Sequence, residues 1–155
     1  MATTNNRVDH PEHYQGKNGI ETIEIIRHYV CDIANALKYL MRAGKKQEMG
    51  MEDAEKEIED LKKALWYIED YKKHLNPTMQ KLTLTGTMEK RVKAMTGYSL
   101  HEITNGYAND IAKALNCLLM NGLIWNGKEL CHELWFDDID NATKAIRQRI
   151  ADLEH

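Results

Sequence analysis

From residue 20 to residue 46, apolar side chains return every three or four positions, at Ile23, Ile26, Val30, Ile33, Leu37 and Leu40. That spacing predicts one helix with a seam buried against another helix. Glu24, His28, Cys31, Asn35, Lys38, Arg42 and Lys45 step through the same run by four and three. At about 100° per residue they fall on a neighbouring polar stripe, so the predicted helix has both a core face and a chemical face. Gly44 stands where a left-handed C-cap is favoured and should end it. After the connection KKQEMGM, a second helix is expected over residues 52–74, with a seam of Ala54, Ile58, Leu61, Leu65, Ile68 and Leu75. Glu52, Asp53 and Glu55 in its first turn suit the positive end of a helix dipole. The two helices should pack as an antiparallel hairpin.

The periodicity then breaks and returns. Residues 76–97 contain Pro77 and Gly86 and read as a linker, with a short strand expected around 82–85. Beyond it, EITNGYANDIAKALNCLLMNG, beginning at Glu102, aligns without a gap on EIIRHYVCDIANALKYLMRAG, beginning at Glu24. Ten of the twenty-one positions are identical, at an offset of 78 residues. KKAL from Lys62 is loosely echoed by TKAI from Thr143. The expected architecture is all-α, with two tandem pseudo-repeated antiparallel helical hairpins at 20–75 and 98–155, the second degenerate. Residues 1–19 read as an irregular N-terminal arm, in which Pro11 should hold His10 extended.

The two copies share packing positions and differ on the polar stripe. Lys38, Tyr39, Arg42, Lys45 and Lys46 become Asn116, Cys117, Met120, Leu123 and Ile124. A binding site on the stripe would therefore belong to the first copy. The bland alternative is pairing across the hairpin, with a turn near Gln47 and Glu48 setting Lys38 opposite Glu57, Arg42 opposite Asp53 and Asn35 opposite Asp60. Exposed pairs of that kind contribute only about 0–1 kcal/mol each.

Composition narrows the chemistry. The 155 residues suffice for one domain or two very small ones, and 43% apolar content suffices for a core. A net charge of -3 argues against a general nucleic-acid binder. Three cysteines, Cys31, Cys117 and Cys131, without CxxC spacing, argue against a disulfide framework or zinc ribbon, and Cys31 and Cys117 read as packing residues. No apolar run approaches the roughly 18 residues of a membrane span, and the N-terminus lacks the apolar core of a signal peptide, so a cytoplasmic protein is expected.

HPEHYQ, IETIEII, NALKYLMRAGKK and DLKKALWYIEDY, spread over residues 8–74, resemble the small phage-encoded nucleotide kinase domain, the family that includes the nucleoside monophosphate kinase of T-odd coliphages. The resemblance implies a phage protein acting on nucleotides in the host cytoplasm, as a homo-oligomer. The family-like positions are His10, His13, Tyr14, Glu21, Glu24, Asn35, Lys38, Tyr39, Arg42, Gly44, Lys45, Lys46, Asp60 and Lys63. The second half departs from the family except as a decayed copy of the first.

Phosphoryl transfer requires positioning of two nucleotides and neutralisation of charge on the moving group. The chain has no GxxxxGK[ST] cradle, so Lys38, Arg42, Lys45 and Lys46 would act as a cationic clamp. Arg42 suits a bidentate phosphate contact, and Lys38 a point charge. His10 and His13 are candidates for phosphate contact or acid–base work. Tyr14, Tyr39 and Trp66 are candidates for stacking on a base, and Asn35 and Asp60 for reading a base edge or a sugar hydroxyl. A kinase would take ATP or another nucleotide as donor, with magnesium left open.

Two rivals remain, the first of which uses the same Lys38, Arg42 and Lys45. A non-catalytic sponge would bind and hold a nucleotide signal of bacterial immunity. A metal-dependent nucleotide pyrophosphohydrolase would need Glu21, Glu24, Glu57 and Asp60 around magnesium. In the drawn hairpin, Glu57 lies about 21 Å along the helix from Glu24, too far for one metal.

Overall fold

The computed structural model describes residues 18–45, 52–82 and 85–155. In chain order these form α1 (Thr22–Ile26), α2 (Cys31–Arg42), α3 (Asp53–Lys73), β1 (Gln80–Leu82), α4 (Thr85–Thr96), α5 (Leu100–Thr104), α6 (Asn109–Leu119), β2 (Asn121–Trp125), β3 (Lys128–His132) and α7 (Trp135–Leu153). The strands make a mixed sheet in the order β1-β3-β2, with β1 parallel and β2 antiparallel to β3. The fold is therefore α+β, and the all-α expectation is corrected. The missed strands occupy the connection between α6 and α7, where a helical hairpin needs only a short turn.

The local chemistry of that hairpin is clear. Asn126 and Gly127 both have positive φ, 50° and 76°. This is the requirement of a type I′ two-residue turn, whose twist matches the strands it joins.

The single helix expected over residues 20–46 is two helices. At the break, the Val30 N–H donates to the Gly122 carbonyl at 2.8 Å, and the Ile124 N–H donates to the His28 carbonyl at 2.8 Å. Tyr29 is buried, and its hydroxyl donates to the Leu119 carbonyl at 2.7 Å. Backbone groups that would continue an isolated helix are instead paired with β2, which satisfies them equally well. The break also takes Ile23 off the expected seam, leaving it 48% exposed.

The helices recur at the interval seen in the sequence, since Thr22 and Leu100 begin α1 and α5, and Cys31 and Asn109 begin α2 and α6. α2 packs on α3 and α6 on α7, while α2 also meets α6 and α3 meets α7. Buried Leu61, Ala64 and Ile68 of α3 correspond at the same 78-residue interval to buried Ile139, Ala142 and Ile146 of α7. The KKAL segment therefore matches Asp140–Thr143 in register, three residues before the TKAI echo. One apolar core runs through both repeats. The segment expected to link them carries β1 and α4, and α4 buries Met88 and Val92 completely. Among the described residues, no helix is long and apolar enough to cross a membrane.

Candidate functional site

The polar stripe of α2 faces α3 around one aromatic ring. Lys38 Nζ lies 4.7 Å from the centroid of the Tyr39 ring, Arg42 Cζ 4.6 Å and Lys63 Nζ 5.5 Å. Tyr67 of α3 stacks on Tyr39 at 5.9 Å with planes 14° apart, and Trp66 meets Tyr67 edge to face at 5.0 Å. The electron-rich face of a phenol ring attracts cations, so the cluster concentrates positive charge beside flat apolar surface. Trp66 is 62% exposed and is not a core residue. A groove of about 480 Å³ runs along α3, lined by Glu55, Ile58, Glu59, Lys62, Lys63 and Trp66. Lys63 thus belongs both to the groove and to the Tyr39 cluster.

Beneath this surface lies a buried ionic network. Arg42 is only 5% exposed, and its Nε and Nη2 donate to Asp60 Oδ1 at 3.2 Å each. Asp60 is fully buried and is also 3.6 Å from Lys56 Nζ, while its Oδ2 has no hydrogen-bond partner among the described residues. Lys56 donates to Glu59 at 2.8 Å, and Lys63 donates to the same oxygen at 3.0 Å. Those two ammonium groups hold the Glu59 carboxyl down at about 2. Burial works against the Lys56 charge, but the Glu59 and Asp60 carboxylates outweigh it and raise its pKa.

These partners differ from those drawn from an idealised hairpin. Arg42 pairs with Asp60 and not Asp53, while Glu57 binds Arg149 of the second repeat at 2.7 Å. Arg42 thus meets a residue seven positions, about two turns, beyond the one the assumed register gave it, and the expected turn at Gln47 and Glu48 lies outside the described residues. Asp60 is enclosed, so it holds Arg42 in place and cannot present an edge to a base. Asn35 turns its amide back to the Cys31 carbonyl at 3.0 Å. Gly44 has φ +82°, and a Cβ there would lie 3.0 Å from Glu57 Oε1, so both backbone and neighbour favour glycine. The Lys45 N–H donates to the Arg42 carbonyl at 2.9 Å, closing the end of α2. His10, His13, Tyr14 and Lys46 lie outside the described residues.

The four carboxylates of the pyrophosphohydrolase reading do not converge. Glu24 accepts the Glu21 N–H at 2.9 Å, capping α1, and the Tyr98 hydroxyl at 3.1 Å. Glu57 and Asp60 are committed to Arg149 and Arg42. No group of three or more acidic, histidine or cysteine side chains among the described residues could hold a metal.

Tyr67, Lys56 and Glu59 were not anticipated as part of the cluster. Their signal is on α3 itself, where Lys56, Glu59, Asp60, Lys63 and Tyr67 recur at three- and four-residue spacing and so share one face.

Residues 8–69 match the model of a family described as a protein of unknown function, DUF3310. The Gene 1.7 protein of Enterobacteria phage T3 is 40% identical over 75 residues, a stretch that covers 43% of this chain and 42% of that protein. The chain therefore spans less than half the length of this relative. No solved structure matches this chain. The likeness lies with a phage protein family of unknown function, and the matched segment contains the whole Tyr39 cluster.

Proposed function

We propose that the α2–α3 face binds a nucleotide. The observation that carries this is the convergence of Lys38, Arg42 and Lys63 on the Tyr39 ring, beside a groove edged by exposed Trp66. Phosphate oxygens fit the Lys38 and Lys63 ammonium groups, with Lys62 at the groove edge, and Trp66 offers a flat surface for a base. Arg42 is oriented by Asp60, so it contributes a fixed charge and not a mobile clamp. Binding comes first in this proposal and nucleoside monophosphate kinase activity second, because cations that position phosphates are part of what phosphoryl transfer needs. A non-catalytic nucleotide sponge uses the same residues. Self-association is part of the proposal, with exposed Trp66, Leu134 and Phe136 as its apolar candidates and sedimentation as its readout.

Incubation with a panel of nucleoside monophosphates and ATP, with and without magnesium, followed by chromatography, separates these outcomes. Diphosphate products establish the kinase, whereas binding with every nucleotide recovered intact establishes the sponge. In the same assay, Lys38→Ala combined with Lys63→Ala should weaken nucleotide binding by roughly tenfold to a hundredfold, the worth of charge-assisted hydrogen bonds. Melting should hardly change, because the exposed Lys63–Glu59 pair contributes about 0–1 kcal/mol. Unaltered affinity in the double variant would overturn the site.

A further inference from the structure

The second repeat has lost the side chains that fill the first. Where α2 carries Lys38, Tyr39 and Arg42, α6 carries Asn116, Cys117 and Met120. The surrounding helices are retained, since α6 packs on α7 as α2 packs on α3. A ring has become a thiol and a guanidinium a thioether, and the space lies open. A cavity of about 740 Å³ is found there, walled by Cys117 and Met120, by Leu100 of α5 and by residues of α4. That volume is in the range of small-molecule sites, roughly 300–1,000 Å³.

The acid has been kept, partly buried, and given a new partner. Asp138 occupies in α7 the position of Asp60 in α3, 78 residues earlier. With Met120 in place of arginine, Asp138 faces His132 of β3, whose Nδ1 is 3.0 Å from Asp138 Oδ2 and which is only 6% exposed. Asn121 donates to the same oxygen at 3.3 Å and to the Cys117 carbonyl at 2.9 Å. The acid that could repel an anion is thus engaged by His132 and Asn121 of the inserted hairpin. Positive charge comes from α4, where exposed Lys90 and Lys93, three residues apart on one helix face, line the cavity with Glu89 beside them.

We propose that this cavity is a second binding site, for a small planar ring bearing an anionic group such as a nucleoside monophosphate. The ring takes the place that the Tyr39 side chain takes in the first repeat, against the polarisable sulfurs of Cys117 and Met120. The anion lies against Lys90 and Lys93. This site is independent of the ligand at Tyr39.

Alkylation of Cys117 by iodoacetamide in alkaline buffer, followed by peptide mass spectrometry, reports on this cavity alone. Burial pushes the Cys117 thiol up to about 11, which makes the unliganded reaction slow and easy to time, while exposed Cys31 is the internal reference. The probes are the 5′-monophosphates of adenosine, guanosine, cytidine and thymidine, with adenosine and inorganic phosphate as single-part controls. At least one monophosphate should slow Cys117 alkylation by roughly tenfold, more than either part does, and Lys90→Ala with Lys93→Ala should remove that protection without altering the melting temperature. The protection should persist in the Lys38→Ala, Lys63→Ala protein, which separates failure here from failure at the first site. Cys117→Tyr should refill the space and lower the nucleotide stoichiometry by one in equilibrium dialysis, with helicity retained. Unprotected Cys117 with every monophosphate, protection equal to that by phosphate alone, or protection unchanged without the two lysines would each overturn the proposal.

Discussion

Lys38 and Arg42 stand one turn apart on α2, and their burial gives them different roles. Arg42 is enclosed with Asp60, so removing its side chain takes away the hydrogen bonds of a buried carboxylate and leaves it the more distant Lys56 at 3.6 Å. Arg42→Ala should cost about 3–5 kcal/mol in urea unfolding, so lost binding in that variant would report folding as much as contact. Sequence spacing placed Arg42 on the polar stripe but could not reveal its burial, because its partner lies on another helix. Asp32 is a second case of tertiary context. Burial, then a hydrogen bond and charge from Asp70, raises its carboxyl from 3.8 to about 6. Asp32 therefore contributes stability that is fully present below its ordinary value and is lost as pH rises through about 6. Asp32→Asn should flatten the fall in melting temperature between about pH 4 and pH 6, and stabilise the protein at pH 7 by about 1 kcal/mol once solvent screening is allowed for.

Among the elements, the β2–β3 hairpin was the one most plainly present in the sequence and overlooked. Asn126-Gly127 between Leu123-Ile124-Trp125 and Leu130-Cys131 is the strongest short-range hairpin signal a chain offers, but the helical repeat extending to Gly122 obscured it. The α1–α2 break had no comparable local signal, since its cause is pairing with β2. The two glycines of the hairpin separate backbone from packing effects. Both have positive φ, but a Cβ on Gly122 would lie 2.7 Å from Ile33 Cγ1 and 2.9 Å from Val30 Cγ2, whereas one on Gly127 would meet nothing within 4 Å. Gly127→Ala should cost about 1 kcal/mol in denaturant unfolding, and Gly122→Ala about 2–4 kcal/mol, the excess being the clash with α2. Equal costs would show that the hairpin yields without disturbing the first repeat.

Across the whole molecule, the repeat was legible because packing positions such as Leu37 and Leu115 must be apolar in both copies. The candidate site was legible as a set of cations and one ring, but not as a network, because Lys56, Glu59 and Tyr67 gain their roles only when α3 closes on α2. In the assembled fold, the long helices meet their own counterparts, α2 on α6 and α3 on α7. That is the contact pattern of a two-fold dimer, here within one polypeptide. In a dimer of identical chains, every substitution appears twice, and a pocket can neither be lost on one side nor remade on the other. Joining the halves lifts that constraint, so the Arg42–Asp60 pair and its counterpart His132–Asp138 have been free to diverge, each answering to selection on a single surface.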